Sequence, residues 1–401
     1  MESEGERSVS PVVRTMLPRT VVVLGLVSFL NDAASEMITP LLPIFLTATL
    51  GAGPTIVGLV EGLAEATASI LKLVSGRLAD RGVRAKSLVL GGYGLSNLAR
   101  PLIGLAATWS AVLLLRFLDR VGKGLRTAPR DALIAAATAP AQRGRSFGFH
   151  RSMDHAGAVV GPLLAFVLLS RNVELGHVFI ASVVPGVLVL LLLAVGLPRG
   201  ERFVAPARAP FAWRALHRRL RAMILAAGWL ALASVPEVFV VLWATQAGLE
   251  VRWVPLVWAA ASLAKMLIAL PAGIVSDRLG RTPVLLGGWG ARVAVLLLLA
   301  ALPHPPTLAV WALFVAYAAT LAITEPAERS LIGDHASEHE RGTAYGLYHL
   351  ASGLLVLPGA LIFGGLWEGW GSSVAFVAAA LTTAAAALWM LWLGRPEPAT
   401  P

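Results

Sequence analysis

Asp32 and Glu36 stand four residues apart, with Ser28, Ser35 and Thr39, in a stretch that is otherwise largely apolar. At about 100° per residue these five side chains fall within a quarter turn of one another and form one polar stripe along a helix. Carboxylates in apolar surroundings take up and release protons, because burial favours the neutral form and an arriving cation or substrate favours the charged one. Asp32 and Glu36 therefore read as proton sites. The alternative is a fixed ion pair with arginines of a neighbouring helix.

Between 109 and 136, Arg116, Arg120, Lys123, Thr127 and Arg130 lie within about 40° of one line, with Asp119 beside them. Such a cationic stripe is untenable unpaired in a low dielectric. Either it pairs with Asp32, Glu36, Asp119, Asp131 and Asp154, or an anionic substrate occupies part of it. Glu61, Glu65 and Lys72 share a further face; Glu65 and Lys72 are two turns, about 10 Å, apart and do not pair directly. Glu61 reads as structural. Asp32, Glu36, Glu65, Arg116, Asp119, Arg120 and Lys123 form the candidate proton-coupling and substrate-binding set. Near 150, Arg151 shares a helix side with Asp154 and His155, and His155 is either a proton relay or a packing residue.

These side chains sit in a chain of 401 residues that is 57% hydrophobic and 14% charged, with mean hydropathy +0.74. That composition excludes a soluble enzyme and places the chain in lipid. Apolar runs of about 20 residues, enough to cross roughly 30 Å of hydrocarbon, predict helices over 20–46, 54–79, 86–107, 109–136, 146–169 and 176–197. Six more follow over 222–247, 253–275, 283–302, 306–332, 343–366 and 372–393. The expected fold is an all-α membrane protein of twelve transmembrane helices in two pseudo-symmetric six-helix bundles, 20–197 and 222–393. Segments 1–19, 198–221 and 394–401 are the N-terminal segment, linker and tail.

An internal repeat supports the two halves. Gly76-Arg-Leu-Ala-Asp80-Arg81 recurs as Gly273-Ile-Val-Ser-Asp277-Arg278, and Arg143-Gly144-Arg-Ser-Phe147-Gly148 recurs as Arg341-Gly342-Thr-Ala-Tyr345-Gly346, at spacings of 197 and 198 residues. Two tandem copies of that length, each embedded in apolar runs, point to a pathway between two similar bundles.

The formal charge of +10 does not signal nucleic acid, because alternate loops carry it. Arg81, Arg84 and Lys86, then Arg143 and Arg145, the arginines of 199–221, Arg278 and Arg281, and Arg341 all fall on one side, while loops near 47–53, 107–109 and 303–306 hold no Lys or Arg. The positive-inside rule then puts both termini and the linker in the cytoplasm, with the chain in the cell (inner) membrane. The first apolar run lacks a small-residue cleavage pattern and reads as a retained span. Cysteine is absent, so thiol catalysis and Cys metal sites are excluded; no metal or cofactor is expected.

At these residues the chain resembles the major facilitator superfamily, over essentially its whole length. Gly76 to Lys86 is similar to that family's loop between the second and third spans, Gly-x-Leu-Ala-Asp-Arg-x-Gly-Arg-Lys, with Val83 where a glycine is usual; Asp277-Arg278-Leu-Gly280-Arg281 is the second copy. Arg116 to Gly124 resembles the Arg-x-x-Gln-Gly-x-Gly segment of the fourth span, with Asp119 replacing Gln. The resemblance gives Arg116 a role in helix packing and proton coupling. Gly148, Gly157 and Gly161-Pro162 resemble the fifth-span motif associated with antiport, although Ala165-Phe166 replaces its closing Gly-Gly. In the second half Gly346, Gly353 and Pro358-Gly359 remain of that motif. Gly148, Gly157, Gly161 and Pro162 are expected at a helix contact. The resemblance implies alternating access by a monomer and puts the first span at a central cavity.

The second half is sparser in charge, with Glu237, Lys265, Arg292, Glu325, Glu328 and Arg329. Its side of the cavity is expected to be more apolar and aromatic, drawing on Trp229, Trp243, Trp258, Phe314 and Tyr317. The repeat aligns Arg130-Asp131 with Glu328-Arg329 in reversed charge order, which predicts that Arg130 meets Glu328 and Asp131 meets Arg329 across the cytoplasmic mouth. The alternative is that each pair serves its own half. Asp80, Arg81, Asp277 and Arg278 are expected to assist this gate by capping helix ends.

Taken together these features imply a secondary active transporter of a small molecule, proton-coupled and exporting by antiport. Import of a small anionic metabolite with protons is the nearby alternative. An enzyme is not expected, since no nucleophile elbow, phosphate loop or soluble domain is present. A non-transporting receptor or scaffold has no need of so many charges within the bilayer.

Overall fold

A computed structural model describes residues 17–80, 85–139, 142–196, 213, 216, 218–335 and 341–393. Arg81, most of the 198–221 linker and the ends of the chain lie outside the described residues. Within them the chain is helical: α1 Arg19–Glu36, α2 Leu42–Ile44, α3 Pro54–Asp80, α4 Ala85–Ile103, α5 Trp109–Ala136, α6 Arg143–Ser170, α7 Leu175–Ala181 and α8 Val183–Gly196 in the first half. The second half holds α9 Arg218–Ala233, α10 Glu237–Gln246, α11 Val254–Leu279, α12 Arg281–Ala301, α13 Thr307–His335, α14 Arg341–Trp370 and α15 Ser372–Leu393.

Among the described residues, eight helical stretches are long and apolar enough to cross a membrane, from Arg145–Ser170 to Ser372–Met390, whereas α1, α3, α4 and α5 fall short of that criterion. The ionisable residues of α1, α3 and α5 lower their hydropathy, so the helices with most of the candidate chemistry are the least lipid-like.

Three expected spans are interrupted rather than continuous, which corrects the reading of 20–46, 176–197 and 222–247 as single helices. The first breaks after Glu36, passes through a turn and α2, and ends in a π turn over Phe45–Thr49. Pro40 and Pro43 explain it, since each lacks an N–H and disfavours helix in the residue before it. Another breaks at 234–236, where Pro236 caps α10 and the freed Val235 carbonyl accepts the Tyr317 hydroxyl at 2.5 Å. Given the repeat spacing of 197 to 198 residues, the breaks after Glu36 and before Glu237 occupy equivalent places in the two copies. A third break, at Ser182, divides α7 from α8.

The halves of the chain touch through α3 with α14, α6 with α11, and α2 with α10. The α3–α14 contact is backbone-close: a Cβ on Gly58 would stand 2.3 Å from the Ala360 carbonyl oxygen. At one end a continuous apolar cluster joins Met37, Ile38, Leu41 and Phe45 to Val238, Phe239 and Leu242, with Phe363 and Trp367 behind. Burial of this apolar surface closes that end of the space between the halves.

Candidate functional site

Between the sealed end and the opposite mouth lies a cavity of about 540 Å³. Nine cationic and seven acidic side chains line it, and most of the lining comes from α1, α3, α5 and α6. It deepens toward Glu36 and Thr39 and widens toward Arg151, Asp131 and Arg329, whose side chains are 66%, 46% and 46% exposed.

The stripe on α5 divides into a paired part and a free part. Arg116 reaches Glu61 of α3 at 3.0 Å and Asp119 at 3.5 Å. Arg120 lies 3.5 Å from Asp119, and Arg100 of α4 meets the other oxygen of Asp119 at 2.8 Å. Asp119 is fully buried and stands behind the cavity wall as counter-ion to three arginines. Asp119, expected in the proton-coupling and substrate-binding set, is not among the residues that line the cavity. Arg100, which sequence reasoning missed, takes the place nearest Asp119; the only sequence signal was an arginine just before Pro101 in an apolar run.

Arg100 also ties α4 to α1, donating to the backbone carbonyl of Asn31 at 3.1 Å and to its Oδ1 at 2.9 Å. With its oxygen so engaged, the Asn31 amide presents its NH2 to Asp32 at 3.0 Å. Arg126, also not singled out from sequence, lies over the Tyr93 ring at 4.4 Å and donates to Ser96 at 2.7 Å. Glu65, Lys72 and Lys123 line the cavity with no hydrogen bond or ion pair of their side chains among the described residues. These are the charges left for a cargo or a proton.

Glu36 accepts a hydrogen bond at 2.9 Å from Nε1 of Trp258 in α11. That contact crosses from the first half of the chain to the second, at the sealed end of the cavity. Trp258 in turn stands 5.8 Å from Lys265, whose ammonium pairs with Glu237 at 2.8 Å. The other aromatic candidates are elsewhere: Trp243, Phe314 and Tyr317 belong to the apolar cluster, and Trp229 packs against Trp389. The expected aromatic lining thus reduces to Trp258, because the large rings fill the seal.

On α6, Asp154 is bonded to Ser28 of α1 and lies within 3.5 Å of His150 and 3.6 Å of Arg151. Gly157 and Gly161 lie against α1: a Cβ on either would stand 2.3 or 2.4 Å from the carbonyl oxygens of Phe29 and Ala33. Pro162 follows within the same helix. Gly148 has open space around its Cβ position, so the helix contact expected of it is not made there, although its neighbour Phe149 lies against Gly25 of α1.

At the mouth neither cross-half pair is formed. Arg130 pairs with Asp131 at 2.9 Å and Arg329 with Glu325 at 2.6 Å, while Glu328 accepts from Trp289 at 3.3 Å and Tyr348 at 3.4 Å. Asp277 pairs with Arg281, which also reaches Asp334 at 3.1 Å and so binds the α11–α12 turn to the end of α13. Arg278 is exposed, and the side chain of Asp80 lies outside the described residues.

The sequence pattern of the Major Facilitator Superfamily matches residues 24–268 and 238–401. The chain belongs to this superfamily. An uncharacterised MFS-type transporter of Methanocaldococcus jannaschii is 32% identical over 363 residues, 88% of this chain and 89% of that one. The multidrug resistance protein MdtH of Photorhabdus laumondii is 30% identical over 185 residues, 46% of this chain and 45% of its own. Among solved structures, the nucleoside transporter NupG superposes with a TM-score of 0.78 at 14% identity, covering 94% of this chain and 100% of that one. Membership makes the chain a multi-pass membrane transporter of a small molecule and not an enzyme. The cavity between its halves is accordingly the place to look for cargo.

Proposed function

We propose that this superfamily member is a proton-coupled secondary transporter that moves its cargo by alternating access and exports it in exchange for protons. The charged cavity, sealed by apolar contacts at one end and wide at the other, carries this reading. Twelve spans in two six-helix bundles, 20–197 and 222–393, would form its walls, with both termini in the cytoplasm, the chain in the inner membrane and the monomer as the working unit.

Asp32, Glu36 and Glu65 serve as proton sites, since each faces the cavity without a cationic partner within 4.0 Å among the described residues. Arg116 and Arg120 hold the α5 wall, and Lys123 faces the cargo. In the opposite state Arg130 with Glu328, and Asp131 with Arg329, latch the mouth, helped by Asp80, Arg81, Asp277 and Arg278. The partial match to MdtH favours export. A second reading, import of a small anionic metabolite with protons, is favoured by the excess of cationic over acidic side chains in the cavity.

The test compares small molecules inside and outside cells producing the protein, an empty vector, or a form with Asp32→Asn and Glu36→Gln. Depletion inside, lost in the double variant, supports export; accumulation of an acidic compound reverses the direction. A gradient of cargo that persists unchanged in the double variant would refute the proton assignment.

A further inference from the structure

Among the described residues five arginines are buried within the helices, and four are accounted for. Arg100, Arg116 and Arg120 share Asp119, and Arg126 lies over Tyr93. Arg292, in the middle of α12, is different. It is 4% exposed, yet it has no carboxylate within 4.0 Å and no ring against it among the described residues. Its Nη2 donates to Thr324 Oγ1 at 2.8 Å and to the Thr320 carbonyl at 3.4 Å, and its Nε is buried with no acceptor. Neutral oxygens satisfy part of its donor set but leave the charge uncompensated, which is costly at this depth.

The guanidinium faces a separate cavity of about 250 Å³ in the second half, lined also by the hydroxyl residues Ser234, Thr324 and Ser352. Glu325 and Glu328 line it too, but Glu325 is committed to Arg329 and Glu328 is held by Trp289 and Tyr348. Ser234 belongs to the break between α9 and α10, and Pro236 and Glu237, two and three residues further on, line the larger cavity. The break thus contributes lining to both spaces.

We propose that Arg292, with the hydroxyls of Thr324 and Ser352, forms an anion subsite that receives a carboxylate or phosphoryl group of the cargo. A planar guanidinium with a free Nε–H matches the paired oxygens of such a group; Thr324, which donates to the Leu321 carbonyl at 3.3 Å and accepts from Arg292, holds the guanidinium in place, and the Ser352 hydroxyl lines the same cavity. The body of the cargo then lies in the larger cavity, near Lys123 and Lys72. The subsite deepens the transport reading and rests on it for the identity of its occupant; the proton assignment and the direction of movement do not enter.

Purified protein is titrated with sodium phosphate, sodium acetate and sodium chloride at constant ionic strength, and the thermal unfolding midpoint is followed. Saturable stabilisation by phosphate or acetate, and not by chloride, is expected; the oxyanion that saturates at lower concentration names the preferred group. Arg292→Gln should raise the half-saturating concentration about tenfold or more, as loss of a charged hydrogen bond implies, Arg292→Lys less, and Ser352→Ala and Thr324→Val each in the same direction. The ligand-free midpoint of Arg292→Gln should hold or rise, because an uncompensated cation has been removed. The titration reads binding alone and needs neither proton movement nor a direction of transport, so a failed proton assignment is told apart from a failed subsite. Absence of saturation with both oxyanions, a titration altered only in Lys123→Gln, or a lowered midpoint with an unchanged titration overturns the subsite.

Discussion

Replacing Asp119 by Asn keeps the size of the side chain and removes one charge from among three guanidinium groups. At the observed 2.8 to 3.5 Å, each contact is worth about 5–6 kcal/mol of attraction at an effective dielectric near 20. The three are not equally exposed to the loss. Arg116 keeps Glu61 at 3.0 Å, and Arg100 keeps both oxygens of Asn31. Arg120 keeps no carboxylate within 4.0 Å among the described residues. The net cost is that of orphaning one buried charge, about 3–5 kcal/mol. Unfolding in mixed detergent micelles, with the free energy read by titration of the denaturing detergent, measures it. The double variant Asp119→Asn with Arg120→Gln should regain at least half of the loss, because the orphan has been removed as well. A loss below about 1 kcal/mol, or no recovery in the double variant, would refute the hub and return Asp119 to the cavity.

The remaining predictions concern contacts between helices. Gly157→Ala should cost about 1–3 kcal/mol by forcing α6 from α1, whereas Gly148→Ala should be neutral because its surroundings are open; equal effects in a stability assay would contradict the close approach. Trp258→Phe removes the one donor to Glu36 among the described residues and should shift the pH dependence of transport while the fold, followed by circular dichroism, stays intact; an unchanged profile would separate Trp258 from the proton site. Charge reversal at Arg130 should impair transport, and the further reversal Glu328→Arg should restore it. No rescue in a transport assay would reject the latch across the mouth and leave each pair to its own half.

Composition and hydrophobic run length determined the membrane setting and the helical class before any coordinates, because lipid admits only segments that satisfy their own backbone; the loop and helix motifs carried the resemblance to the family. Side-chain period on a single helix also brought Asp32 to the same wall as Glu36, and Arg116 into line with Lys123, since that depends on one helix alone. Partnership between helices was not legible. Arg100 and Asp119 are 19 residues apart in sequence and meet only because α4 packs on α5; Glu36 and Trp258 are 222 apart and meet only at the closed end. The tertiary structure alone decided which charges are cancelled behind the wall and which remain facing the cavity, as Coulomb energy depends on distances that no period in the sequence encodes. It also decided that most of the aromatic candidates of the second half lie away from the cavity, and that Arg292 has no carboxylate within 4.0 Å among the described residues.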